Sequence, residues 1–440
     1  MSDYMFMLES RLSADQFRVV GQMRQLATEA GVNVYLTGGA MRDMLGSWPV
    51  RDLDFTVEGN ALKLAKVAEK KLGATLLSTD DLRKSVDMRF AGGVLGSLGM
   101  AHQERFLKSG SKPQVAPATL YEDLRCRDFT VNAIALSLNK ASLGLPIDPT
   151  NGIGDIERKE MRAIHNYSFY DDPARMVRII RFKIRLGYSI DERTRLQYEN
   201  AREAGMLAKI TPGALGEELR GMAVEAAPAD LIQALVDEKL MELFSPELTG
   251  PKLNLAEFAK LQKARQLVPV GVDFKITPLP LFLKVLLDKL NAKESAALVN
   301  AAALTRSEIS ASQKLDGTAK KLEKELKSAK LQKASQLYQV LSKAPGEAIL
   351  YLLVYSEQRL VQDRIKNYFQ KYIPAALEIT DEMVVATGVA QGTPKFHRTR
   401  EEMILKRLDA RPKKPAPEPP PLPPPPMSSF ARGPSVRHTR

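Results

Sequence analysis

Tyr35-Leu36-Thr37-Gly38-Gly39-Ala40-Met41-Arg42-Asp43-Met44-Leu45-Gly46, followed by Arg51-Asp52-Leu53-Asp54-Phe55, is the stretch that decides the fold. Val32 to Leu36 reads as a strand, Thr37-Gly38-Gly39 as a turn, and Ala40 to Leu45 as a short helix. Glycines let backbone approach an anion closely, and free N–H groups at a helix start attract phosphate. Arg42, one turn in, adds charge. Leu53 to Val57 reads as a second strand. The Asp52 and Asp54 carboxylates, two residues apart, therefore point to one face. Like charges that close repel unless a cation lies between them. An oxygen-only pair suits Mg²⁺, which takes one or two carboxylates and completes its shell with substrate phosphates. Two such ions activate an attacking hydroxyl and stabilise leaving pyrophosphate. An Asp-x-Asp pair alone is commonly just a solvated strand end; after a glycine turn and an arginine it points to a cation held beside a phosphate-gripping turn.

Around this stretch the first third of the chain is mixed. Gln16 to Ala30 has a helical apolar stripe closed by Gly31, and Asn60 to Leu72 is a second helix ended by Gly73. Further strands are expected at Ala74–Leu77, Val86–Phe90 and Val131–Leu138. After about Asp155 the strand signals stop. Pro173 to Leu186 is a strong helix, with Pro173 at its first position and Asp172 as its cap. From Ala214 to Leu408 the chain is helical pieces separated by Pro and Gly. Lys314 to Lys333 carries lysines at helical spacing, either a solvated face or a phosphate-tracking surface. Asp409 to Arg440, with its run of prolines from Pro417 to Pro426, cannot join a ladder or helix and is expected as a disordered tail. Its Arg432, Arg437 and Arg440 are available to RNA or a partner.

At 440 residues, several domains are expected. Lysine and arginine number 64 against 52 acidic residues, a net charge of +12 that suggests a polyanionic partner. The longest apolar run, Ala348 to Tyr355, is too short to span a membrane. Met1-Ser2-Asp3-Tyr4 does not open a secretory signal, so a cytoplasmic location is expected. Cys126 is the single cysteine, which excludes an internal disulfide and a cysteine-cluster zinc site. Four scattered histidines (His102, His165, His397, His438) give no metal-site spacing.

Four motifs occur in order: Gly38-Gly39-Ala40-Met41-Arg42-Asp43 with Asp52-Leu53-Asp54; Leu124-Arg125-Cys126-Arg127-Asp128-Phe129-Thr130-Val131-Asn132-Ala133; Asp148-Pro149-Thr150-Asn151-Gly152-Ile153-Gly154-Asp155; and Asp171-Asp172-Pro173-Ala174-Arg175-Met176-Val177-Arg178-Ile179-Ile180-Arg181-Phe182. With these, Val32 to Leu219 resembles the class II tRNA nucleotidyltransferases: CCA-adding enzymes with their A-adding, CC-adding and bacterial poly(A) polymerase relatives. The resemblance implies an α+β architecture, a nucleotidyltransferase head (1–155) followed by all-helical neck (156–225), body (226–370) and tail (371–408), then the proline-rich end (409–440). It implies addition of CMP and/or AMP from CTP and ATP to the 3′ end of tRNA, with Mg²⁺ on Asp52 and Asp54. Gly38, Gly39 and Arg42 belong to the phosphate-gripping turn. Arg127 suits a triphosphate and Asp128 the ribose hydroxyls. The third motif links head to neck, as a hinge or as a plain connecting loop. Asp172 and Arg175 read the incoming base, while Arg178 and Arg181 continue the nucleotide-contacting stripe. C and A each offer an exocyclic amino group to a carboxylate; G and U offer a carbonyl and leave it unpaired. Rejection on such grounds reaches roughly 10⁴-fold.

The chain departs from the family in places. The family's third strand carboxylate falls at Ser97, with Asp87 a nearby acid. Asp171 stands where Glu is usual. Ile210 to Leu219 lacks the usual Glu-Arg pair, which weakens the expected support of the nucleotide pocket. Ala386-Thr387-Gly388-Val389 with Pro394 resembles the family's tail. The rival readings are a poly(A) polymerase and a non-catalytic RNA-binding homologue; neither a membrane nor DNA is an expected partner.

Overall fold

The computed structural model of the protein describes residues 3–269, 272 and 274–410. The proline-rich stretch, with Arg432, Arg437 and Arg440, lies outside the described residues. Helices α1 (Asp3–Arg11) and α2 (Ala14–Ala30) come first. Ser13 accepts from the Gln16 N–H while the Gln16 side chain accepts from the Ser13 N–H; Gly31, at φ 65°, ends α2 in the left-handed region. The head follows as β1 (Asn33–Thr37), α3 (Gly38–Leu45), β2 (Leu53–Glu58), α4 (Ala61–Leu72), β3 (Thr75–Asp80), β4 (Ser85–Arg89), β5 (Leu95–Met100), β6 (His102–Arg105), β7 (Gln114–Pro117), α5 (Leu120–Cys126), β8 (Ala135–Ser137) and β9 (Pro146–Ile147).

Seven of these strands form one sheet in the order β3-β4-β5-β2-β1-β8-β9. Only β2 and β5 run parallel within it, and β6 pairs with β7 as a separate hairpin. The period of two in β2 sorts the sheet's faces. Leu53, Phe55 and Val57 are buried in the main core with α2 and α4, whereas Asp54 and Thr56 look to the other side. Burying each of those large side chains stabilises the sheet by roughly 1.5–3 kcal/mol. That opposite side is partly covered by α5, whose Leu120 and Leu124 pack with Tyr35, Ala133 and Ala135. Beyond α5's reach the face is polar. Val131–Leu138 is not one strand: residues 130–132 form a 3₁₀ turn, because Asn132 and Ala133 N–H groups donate back to Phe129 and Thr130. Only Ala135–Ser137 remains extended.

The third motif is bonded into a helix start against the head. Asp148 accepts from the N–H groups of Gly152 and Ile153 at 2.7 and 2.9 Å and starts α6 (Gly152–Arg158). A Cβ on Gly152 would sit 2.1 Å from the Thr130 carbonyl, so this helix start is wedged against the head. Two short strands, β10 (Glu160–Met161) and β11 (Ser189–Ile190), pair in parallel where sequence periodicity shows none.

Helices then dominate: α7 (Ser168–Asp171), α8 (Arg175–Leu186), α9 (Glu192–Glu203), α10 (Pro212–Ala223), α11 (Pro228–Asp237), α12 (Leu255–Gln266), α13 (Pro278–Leu287), α14 (Ala292–Ala301), α15 (Arg306–Leu326), α16 (Ala334–Lys343), α17 (Gly346–Tyr355), α18 (Arg359–Asn367), a π-helical turn at Tyr368–Tyr372, α19 (Ile373–Leu377), α20 (Asp381–Val385) and α21 (Pro394–Asp409). One apolar core runs from the sheet through α8, α10, α13 and α17, while α20 and α21 close a small cluster around Val384 and Phe396. Among the described residues, no helix is long and apolar enough to cross a membrane. The helix of the fourth motif starts at Arg175, two residues later than the position of Pro173 suggests. Asp172 is extended and its Oδ1 accepts from the Ala174 N–H at 3.2 Å, which still supports the helix start.

Candidate active site

The polar face of the sheet, α5 and the start of α8 enclose a cavity of about 590 Å³. Of the residues assigned above to catalysis and nucleotide binding, all line it except Arg181: Gly38, Gly39, Arg42, Asp52, Asp54, Arg127, Asp128, Asp172, Arg175 and Arg178. Arg181 lies behind the stripe, against Gly221, tied to Glu218 and Glu225.

Thr37 pairs with Asp54 across β1 and β2, and Asp54 with Ser97 across β2 and β5. Asp52, one step before β2, continues the Asp54 side of the alternation. It opens to the cleft, and its carboxyl is pushed up by burial among protein atoms and then by Asp54, against the pull of Arg185. Ser97 Oγ donates to Asp54 Oδ1 at 2.9 Å. Asp54 Oδ2 lies over the glycine turn: a Cβ on Gly38 would stand 3.3 Å from it and 3.1 Å from Arg127 Nη1, and one on Gly39 3.4 Å from it. Gly38 also has φ 63°, so both space and backbone demand glycine there. Asp87 is opposite Ser97 on β4, one strand further from Asp54, and hydrogen-bonds Ser78. Among the described residues no three His, Cys, Asp or Glu side chains gather as a metal cage. The pair Asp52 and Asp54 is instead an oxygen-only, half-built site whose mutual repulsion a hard cation would relieve, with the remaining positions left to a ligand.

Arg42 and Arg127 are largely used by the fold. Arg42 is 3% exposed, held by Asp43 at 2.7 and 2.9 Å and by Asn132 Oδ1 at 2.5 Å, with its guanidinium 5.1 Å from the Phe182 ring centre. Arg127 donates to Asp123 at 2.9 and 3.1 Å, to Thr56 at 3.0 Å and to the Asn132 carbonyl at 3.2 Å. Both therefore stiffen the glycine turn from beneath. Asp128 Oδ1 accepts from the Phe129 N–H at 2.7 Å and Asn132 Nδ2 at 2.9 Å. Burial alone would raise the Asp128 carboxyl; Arg178 and then Arg175 hold it below its ordinary value.

Across the cavity, Asp172 Oδ2 is 3.6 Å from Arg175 Nε and 3.7 Å from Arg178 Nη1. Arg175 is anchored by Ser168 Oγ at 2.8 Å and the Cys126 carbonyl at 3.3 Å, while its buried Nε makes no hydrogen bond. Asp172 and Arg175 thus lie side by side on the cavity wall. Arg178 Nε donates to Glu218 at 2.6 Å, and Arg181 meets Glu218 at 3.2 Å and Glu225 at 3.0 Å. Glu218 and Glu225, 2% exposed each, are the support that the missing Glu-Arg pair had put in doubt. The signal for Glu218 was present in Gly216-Glu217-Glu218-Leu219; only its partners were hidden. Arg185 bridges to Asp43 on α3 at 2.8 Å, and Arg51 reaches Glu225 at 3.6 Å. Burial, then Arg42 and Arg51, lower the Arg185 guanidinium to about 10.

Comparison with known proteins matches these features. Residues 34–162 match the Poly A polymerase head domain. The A-adding tRNA nucleotidyltransferase of Aquifex aeolicus is 29% identical over 354 residues, 77% of this chain and 40% of that relative. The chain spans 25% to 54% of the length of the curated A-adding relatives it matches. A solved CCA-adding enzyme in its apo form II shares the fold with a TM-score of 0.56 and 26% identity, over 94% of this chain and 96% of that one. The Thermotoga maritima CCA-adding enzyme complexed with tRNA-CCA gives 0.52 and 25% over the same shares. A matched head domain, a fold shared along nearly the whole chain and three of the four motifs lining one cavity make this chain similar to the class II tRNA nucleotidyltransferases.

Proposed function

We propose that this chain adds CMP and/or AMP, from CTP and ATP, to the 3′ end of tRNA, and that Mg²⁺ is its working ion. The observation that carries the reading is the facing of two clusters across one cavity: the paired acids Asp52 and Asp54 on the sheet, and Asp172 with Arg175 on the neck. The family generally uses divalent metals. Relatives named A-adding and CC-adding, and solved CCA-adding enzymes bound to tRNA, ATP and CTP, support the choice of substrates.

The RNA 3′-hydroxyl oxygen forms a bond to the α-phosphorus, the bond from that phosphorus to the bridging oxygen breaks, pyrophosphate leaves, and the hydroxyl proton passes to solvent. Asp52 and Asp54 would hold the Mg²⁺, which when bound acidifies the attacking hydroxyl and offsets charge on the leaving group. Ser97 fixes the rotamer of Asp54 by occupying Oδ1. The glycine turn offers backbone N–H groups to the triphosphate, with Arg42 and Arg127 fixing its shape. Asp172 accepts the exocyclic amino group of C or A while Arg175 donates beside it. Arg178 completes this edge, and Arg181 keeps Arg178's shared acid, Glu218, in place. Residues 1–155 form the head, 156–225 the neck, 226–370 the body and 371–408 the tail of this reading, and the cytoplasm is its compartment.

The test supplies labelled CTP or ATP, one at a time, to tRNAs ending before the first C, after C and after CC. Addition of one to three nucleotides with Mg²⁺ is the expected result, and the end that is extended tells CCA, CC and A addition apart. A long ladder would replace the reading with a poly(A) polymerase; no label transfer would replace it with an RNA-binding homologue.

A further inference from the structure

Asp52 is the less supported of the paired acids. The ladder of β2 with β5 starts at Leu53, and the next backbone anchor upstream is Val50, whose carbonyl accepts from Gln16 Nε2 at 2.8 Å. Between these anchors lie only Arg51 and Asp52. Asp52 lines the cavity and Arg51 does not, so the two side chains leave the backbone on different sides, as alternation in an extended chain requires. Whatever holds Arg51 on the far side therefore decides where Asp52 points on the near one.

Arg51 is held by Glu225, its one ion-pair partner among the described residues. The glutamate is buried just past α10 and is itself fixed: Oε1 accepts from Arg181 Nη1 at 3.0 Å, and the backbone carbonyl accepts from Arg265 on α12. Its Oε2, by contrast, makes no hydrogen bond, with Arg51 Nη2 at 3.6 Å and Arg185 Nε at 4.0 Å. A buried carboxylate oxygen without a donor is unfavourable, and a guanidinium this close is drawn to it. Arg185 is already committed to Asp43 at 2.8 Å, which leaves Arg51 as the group that answers the pull. Resting on the assignment of Asp52 and Asp54 to a divalent ion, we propose that Glu225 is a positioning residue for the cation site: by drawing Arg51 away from the cavity it fixes the direction in which Asp52 enters it. Because the same carboxylate receives Arg181 of α8, one side chain links the acids on the sheet to the arginine stripe across the cavity.

The experiment measures Mn²⁺ binding to the full chain and its variants by electron paramagnetic resonance, without nucleotide or RNA. Arg51→Gln decides, because two effects have opposite signs there. Charge alone predicts tighter binding, since a cation beside Asp52 has gone. Loss of aim predicts weaker binding, by about tenfold, the scale on which metal affinity answers to a group behind a ligand. The weaker binding is the expected result. Arg51→Lys, which keeps the charge and part of the reach, should recover most of the affinity. Glu225→Gln should weaken Mn²⁺ by a similar factor, and adding Arg51→Gln to it should cost little more, because one acts through the other. The Arg51 side chain is 39% exposed, so its variants decide the matter even where Glu225→Gln, which also strips Arg181 of a partner, fails to fold. Equal or tighter binding in Arg51→Gln would overturn the assignment, as would losses that multiply in the double variant. A wild type that binds no Mn²⁺, or binds it as well after Asp52→Ala, would sink the metal reading itself and the proposal with it, and the two failures are thereby told apart.

Discussion

Asp52 and Asp54 occupy one cleft but not one environment. Asp54 has an oxygen engaged by Ser97 and the other over the glycine turn, whereas Asp52 is pressed by neighbouring acids. Replacing either with Ala should lower nucleotide incorporation by about 10³-fold or more, several kcal/mol of transition-state stabilisation, with circular dichroism and tRNA affinity unchanged. Normal turnover in either variant would refute the metal assignment. Ser97→Asp is the complementary change. It sets a third carboxylate beside Asp54 in the strand register and removes a donor. Without divalent ions this variant should be less stable than wild type by about 1–3 kcal/mol; adding Mn²⁺ should narrow the gap, and Mn²⁺ should bind more tightly. Equal stability with and without the ion would show that position 97 does not face the cation site. At this scale the two acids and the glycine turn were readable because a strand's alternation and a φ near 63° leave few residue choices. Asn132 and Glu218 were not, since their meaning lies in partners 90 and 40 positions away.

Among the elements, α10 matters out of proportion to its length. Its Glu218 receives Arg178 and Arg181 of α8, and Glu225 just past its end receives Arg181 and Arg51. Glu218→Gln leaves two part-buried guanidinium groups short of charge, and a loss of about 3–5 kcal/mol is expected by chemical denaturation. Nucleotide KM should rise more than kcat falls, since the arginines lose their aim before the acids on the sheet do. An equal fall in kcat for all nucleotides, with KM unchanged, would mean the helix only holds the fold together. The helices of the neck were foreseeable from caps and periodicity, with errors where backbone bonding intervened. Pro173 suggested a helix start, but Asp172 stays extended and postpones it to Arg175. An eight-residue strand was expected after Phe129, yet a 3₁₀ turn shortens it, because the chain bends around Asn132 to deliver that side chain to Arg42 and Asp128.

Over the whole molecule, sheet and helices share one apolar core, and ion pairs stitch its seams. Arg185 joins α8 to α3, and Arg220 on α10 donates to Glu308 on α15 at 2.7 and 3.0 Å. Glu308 is lowered to about 2, first by Arg220, with burial opposing and the Thr305 N–H assisting. Its folded value lies below its ordinary 4.5, so the stabilisation is present in full above that value and lost as pH falls toward 2. An acid titration of stability should therefore steepen between about 4.5 and 2, and Glu308→Gln should flatten that limb; identical limbs would sink the assignment. A last consequence concerns the gene rather than the protein. Glu218 on α10 and Glu225 just past its end stand seven residues apart, and both reach Arg181. One codon inserted or removed between them would swing the second acid about 100° around the axis and strand Arg181 and Arg51. Related chains should accordingly vary along this segment by exchange of letters and not by change of length; a functional relative with a one-residue gap there would contradict it.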